Sequence, residues 1–134
     1  YNVLFVVLLL VFTVVHEGIH GVTWGLLAPS GFEKVEFGFM KEYLTPYCTC
    51  GEPMSRKVYF LGAVMPCLVL GILPAVIGVL TGSFFWLIIG LCMIMGAGGD
   101  LTIILKMLRY RSNAAEMILM DHPYECGFIV FERE

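Results

Sequence analysis

Val11-Phe12-Thr13-Val14-Val15-His16-Glu17-Gly18-Ile19-His20-Gly21-Val22-Thr23-Trp24-Gly25-Leu26-Leu27 is the stretch on which the fold turns. It belongs to an apolar segment, Tyr1 to about Ala28, whose ionisable side chains are those of His16, Glu17 and His20. A charged group at the centre of a bilayer costs about 2.5–3.5 kcal/mol on insertion scales, so such groups persist where they face a bundle interior, bind something or do chemistry. The order H-E-x-x-H is the zinc-peptidase helix signature. Together the motif and its apolar setting point to a metalloprotease whose site lies within the membrane.

Composition supports the setting. Of 134 residues, 59% are hydrophobic and 14% charged, and the mean hydropathy is +0.88. Soluble domains are about 45–50% apolar and about 25% charged. The chain therefore reads as one polytopic, all-α membrane domain over 1–134. The opening run lacks a basic leader and its apolar part continues past the motif to Leu27, which sets aside a signal peptide. The chain begins at Tyr1 rather than Met, which leaves room for an upstream segment. Net charge is −3, and no basic patch interleaved with aromatics suggests a nucleic-acid partner.

Three apolar stretches predict three transmembrane helices, about 3–28, 58–80 and 84–108. Each is long enough for a hydrocarbon core of about 30 Å. Pro29-Ser30-Gly31 ends the first, Pro66 and Pro74 are expected to kink the second, and Thr81-Gly82-Ser83 turns into the third. In the polar loop, 29–57, Val35-Glu36-Phe37-Gly38-Phe39 alternates as a strand does, predicting a short β-hairpin or re-entrant element. In the polar tail, 109–134, a short helix is expected near Ala114–Met120. A strand is expected at Phe128-Ile129-Val130-Phe131, pairing with the Val35–Phe39 strand.

Lys34, Lys41, Arg56 and Lys57 lie in or beside the first loop, and Lys106, Arg109, Arg111 and Arg133 lie at the end of the third span and in the tail. The 81–83 turn carries no basic residue. Three spans put the loop and the tail on one face, which the positive-inside rule makes cytoplasmic. The expected location is thus the cell membrane, multi-pass. Cys48, Cys50, Cys67, Cys92 and Cys126 are odd in number and form no disulfide framework, so they read as free thiols.

His16 and His20 are four apart, about 400° and about 6 Å along a helix, so both imidazoles can reach one Zn²⁺. Glu17 projects near the open coordination position, where it can take a proton from a metal-activated water. Catalytic zinc usually takes a third protein ligand. Asp100 is the only carboxylate in the second and third spans, nine residues before Arg109. That places it about 13 Å along a helix, at a depth similar to the histidines. It suits a third ligand, a partner of Lys106 or a cap at a helix break. Gly96, Gly98 and Gly99 before it allow close helix approach or local loosening. His122 is a weaker third-ligand candidate, and Asp121 beside it reads as the start of a turn. Trp24 and Trp86 read as lipid-facing or packing residues. Ser83 and Ser112 lack a suitable His and acid, and no nucleotide-binding loop occurs.

His16-Glu17-Gly18-Ile19-His20-Gly21, Gly99-Asp100, Asp121-His122-Pro123 and Gly127-Phe128 resemble the putative zincin peptidases, a family of small bacterial and archaeal membrane proteins. More distantly the chain is similar to the site-2 proteases, intramembrane zinc peptidases with three core spans. The resemblance implies Zn²⁺ held by His16, His20 and Asp100, with Glu17 as catalytic base. Here Asp100 sits in Gly98-Gly99-Asp100-Leu101, not in the Asn-Pro or Leu-Asp-Gly context typical of site-2 enzymes. The expected activity is an intramembrane zinc metalloendopeptidase. It would cleave membrane-embedded or juxtamembrane peptides in the lipid bilayer, pairing with them by strand addition near 32–57. The alternative is a non-catalytic membrane zinc-binding or metal-sensing protein that uses the same residues.

Overall fold

The computed structural model describes residues 2–114, 116–122 and 127–133. Helix α1 runs Asn2–Leu27, about 39 Å by its rise per residue. A 3-10 turn, Gly31–Lys34, leads into strands β1 (Val35–Met40) and β2 (Thr45–Cys50). A two-residue strand β3 (Met54–Ser55) precedes α2 (Arg56–Pro66). A π-helical segment, Cys67–Ile72, joins α2 to α3 (Leu73–Thr81). Then come α4 (Phe84–Gly96), α5 (Gly98–Arg109), β4 (Glu116–Asp121) and β5 (Phe128–Arg133).

Two helical stretches, Asn2–Leu27 and Arg56–Thr81, are each long and apolar enough to cross a membrane. The two prolines of the second do not break it, because the ladder widens between them: Leu73 N–H reaches back to Leu68 O. The expected third span is divided, with α4 and α5 meeting at 52°. Gly96, Gly98 and Gly99 flank the joint, and a Cβ at any of them would touch nothing within 4 Å. They therefore serve the bend and not close helix packing. Close packing occurs elsewhere: Gly78 and Gly90 lie where the backbones of α3 and α4 leave no room for a Cβ. Val3, Leu10, Val14, Val22 and Leu26 of α1 are all exposed, an apolar band that water would not tolerate but lipid would.

The hairpin β1–β2 is antiparallel, from Val35↔Cys50 to Met40↔Thr45, as the alternation predicts. It lies against α1, with the Phe37 ring over Gly21 and the Phe32 ring over Gly25. The second sheet has the order β3-β4-β5, with Met54↔Leu119 and Leu119↔Val130 in register. Two expectations for the tail fail here. Glu116–Asp121 is a strand and not a helix, because four successive apolar residues fit either form and buried Leu119 is paired on both sides. The terminal strand pairs with β4 and not with β1, since closing a short connection costs less entropy than closing a long one.

Two clusters hold the fold. Trp24, Cys48, Cys50, Met54, Tyr59, Met107 and Leu119 form one, where α1, the hairpin, α2, α5 and β4 converge. Leu70, Ile89 and Met93 form the other, packed by Phe5, Leu8, Leu9, Phe12 and Ile19. Along α1 the turn carrying His16 and His20 falls between them. Arg56 donates from Nη2 to Met107 O at 2.9 Å, tying the start of α2 to the last turn of α5.

Candidate metal centre

His16 and His20 are 7% and 4% exposed. Their rings meet edge to face, 4.9 Å between centroids at 77°, as the i,i+4 spacing dictates. Trp24, one further turn along α1, stacks on His20 at 5.2 Å and 17°. Nδ1–H of His20 donates to Gly62 O of α2 at 2.8 Å. That bond assigns the tautomer and leaves Nε2 as the free nitrogen.

Asp100 is the third residue of α5, just past the bend. The N-terminal turn of a helix favours a carboxylate. Asp100 Oδ2 lies 2.9 Å from His16 Nε2 and 3.3 Å from His20 Nε2. The ion-pair contacts of Asp100 among the described residues are these two, not Lys106. Tetrahedral zinc with bonds of 2.0–2.1 Å has donor–donor edges of about 3.3–3.4 Å. Two imidazoles and a carboxylate suit that ion in chemistry, and Asp100 lies beside both imidazoles.

Glu17 offers a carboxylate oxygen within 4.8 Å of the ligand atoms of His16 and His20, and these three form the metal-capable group among the described residues. Strand β2 packs against α1 and brings Cys48 close to Glu17, so the hairpin forms a wall of the site. The Cys48 thiol is pushed up to about 12 by burial and by the Glu17 and Asp121 carboxylates. In the metal-free chain it is a protonated, unreactive thiol. Cys48, Cys50, Cys67 and Cys92 are all free, and Cys126 lies outside the described residues.

Asp121 is not a turn residue. Its Oδ1 accepts from Tyr59 Oη at 2.7 Å and its Oδ2 from Cys50 N–H at 3.1 Å, so it pins β4 to α2 and β2. Burial raises its carboxyl above the usual range. Tyr59 in turn stacks on Trp24, 5.9 Å away, which links this anchor to the His20 ring. An aspartate before a histidine and a proline carries no sequence signal for such a role. Neither Asp100 nor His122 belongs to the His16–Glu17–His20 group; the backbone N–H of His122 bonds Gly127 O at 3.1 Å, across the end of the β4–β5 connection. Pro123 lies outside the described residues. Trp24 is packed in the core, while Trp86 is 39% exposed.

Residues 9–115 match the family described as "Putative zincin peptidase". No curated protein and no solved structure matches the chain. The matched stretch contains His16, Glu17, His20 and Asp100 and stops short of Asp121 and His122. Zincin chemistry implies Zn²⁺, in keeping with the His-Glu-His group on α1. The match spans most of the chain, which therefore belongs to this zincin peptidase family.

Proposed function

We propose that the chain is an intramembrane zinc metalloendopeptidase. It crosses the membrane three times, on α1, on α2–α3 and on the bent pair α4–α5, with the hairpin loop and the tail in the cytoplasm. The candidate span helices and the placement of basic residues at one end of each support this topology. His16, His20 and Asp100 would hold the ion. The carrying observation is the convergence of both Nε2 atoms on one Asp100 oxygen, at 2.9 and 3.3 Å, with Glu17 alongside.

Zinc, when bound, supplies Lewis acidity toward water and the scissile carbonyl. Glu17 accepts the proton of the attacking water and delivers it to the leaving amine. Asp100 keeps both imidazoles turned inward. The flanking apolar clusters exclude bulk water, so proton transfer stays local. Substrates are membrane-embedded or juxtamembrane peptides, because the site lies on α1 short of its loop end. A two-stranded hairpin beside the site, with β1 as an edge strand, suits strand addition by an unwound segment.

Replacing Glu17 with Gln tests the reading. The variant should retain zinc and lose cleavage of a membrane-embedded peptide by about 10²-fold or more, the usual worth of a general base. Cleavage equal to the parent's would refute the assigned role.

A further inference from the structure

Pro66 ends α2 and has no N–H. In an unbroken helix the N–H of residue 66 would bond to the carbonyl four residues earlier, that of Gly62. Here Gly62 O accepts instead from His20 Nδ1, on a different helix. The next donor along, Cys67 N–H, goes to Val64 O. The ladder then widens into the π segment, whose last bond runs from Leu73 N–H to Leu68 O. The backbone of the second span thus leaves the Gly62 carbonyl to α1.

Gly62 meets a second requirement. The Trp24 indole nitrogen sits where a Cβ on residue 62 would be, so only glycine lets α1 come near enough for the bond. The His20 ring is then fixed on three sides: Trp24 on its face, His16 at its edge and Gly62 O on Nδ1–H. Its remaining nitrogen, Nε2, faces Asp100.

We propose that Pro66 is a positioning residue for the metal centre. By withholding a backbone donor it frees the Gly62 carbonyl to hold His20 as the Nδ1–H tautomer, with Nε2 presented to the ion. The proposal rests on the reading of His16, His20 and Asp100 as zinc ligands. Pro74 is a natural control. It is buried in the same span and equally lacks an N–H, yet among the described residues the histidine side-chain bonds go to Asp100 and Gly62.

Zinc affinity of the detergent-purified parent, Pro66→Ala and Pro74→Ala, measured by competition with a chromophoric chelator, tests this. Pro66→Ala restores a donor that competes for Gly62 O, and zinc binding should weaken by about 10- to 100-fold, the usual effect of losing a partner behind a metal-bound histidine. Pro74→Ala should bind like the parent. A Pro66→Ala variant that binds like the parent, or a Pro74→Ala variant that loses as much, overturns the proposal while the zinc site stands. A parent that binds no zinc overturns the zinc site itself, and the proposal with it. If Pro66→Ala does not fold, the ¹⁵N shifts of histidine-labelled, zinc-loaded parent decide. A protonated Nδ1 on His20 is expected, and a protonated Nε2 would overturn the proposal.

Discussion

Replacing Asp100 with Asn probes the one ligand that motif spacing alone does not supply. The change keeps size and shape and removes the negative charge that both imidazoles face at 2.9 and 3.3 Å. Four-ligand zinc sites are worth about 10–16 kcal/mol at neutral pH, or about 2.5–4 kcal/mol per ligand. At about 1.4 kcal/mol per tenfold, losing the Asp100 ligand should weaken zinc binding by about 10²- to 10³-fold. Asp100 sits in the first turn of α5 with its side chain 23% exposed. The amide fits the same space, so the thermal midpoint of the zinc-free protein should change little. Chelator competition on the purified protein measures the affinity, and a parallel melt without zinc controls for folding. An Asp100→Asn protein that folds and binds zinc within about twofold of the parent would show that Asp100 is no ligand.

Gly62→Ala should destabilise the chain by about 1–3 kcal/mol, because the new Cβ collides with the Trp24 indole; a thermal melt unchanged from the parent would refute that packing. Tyr59→Phe removes one of two donors to the buried Asp121 carboxyl and should cost about 1–3 kcal/mol in the same assay. Burial raises the Asp121 carboxyl, so the folded chain keeps a proton that the unfolded chain releases. Stability from this group is then full below the unfolded value of about 3.9 and is lost as pH rises through the higher folded value. Melts of Asp121→Asn should therefore gain on the parent from mildly acidic to neutral pH, and parallel profiles would refute it. For topology, Lys41→Cys should label with an impermeant maleimide from the cytoplasmic side of vesicles and Gly82→Cys from the opposite side; the reverse pattern would refute the assigned orientation.

Parts of the molecule were legible in the sequence because a period or a spacing maps directly onto geometry. His16, Glu17 and His20 share a helix, so their spacing becomes a direction, and the structure puts both imidazoles on the same oxygen. The alternation at Val35–Phe39 announces a strand, and β1 is there. Asp100 was reachable through depth, since parallel helices keep residues level. The 52° bend beside it was less legible, because glycines permit either close approach or a joint and only packing decides. Met117–Met120 misled because a short apolar run lacks a period, and its strand form depends on partners at Met54 and Val130. Asp121 and Gly62 were hidden for a different reason. Each acts through tertiary hydrogen bonds, and a freed backbone carbonyl leaves no mark on residue identity except the proline four positions later.

Metal analysis of the protein purified in detergent should find about one zinc ion per folded chain under metal-replete conditions, lost when His16 and His20 are both replaced by Ala. A folded, metal-replete protein that carries no zinc, or one that keeps its zinc without the two histidines, would contradict the assigned site.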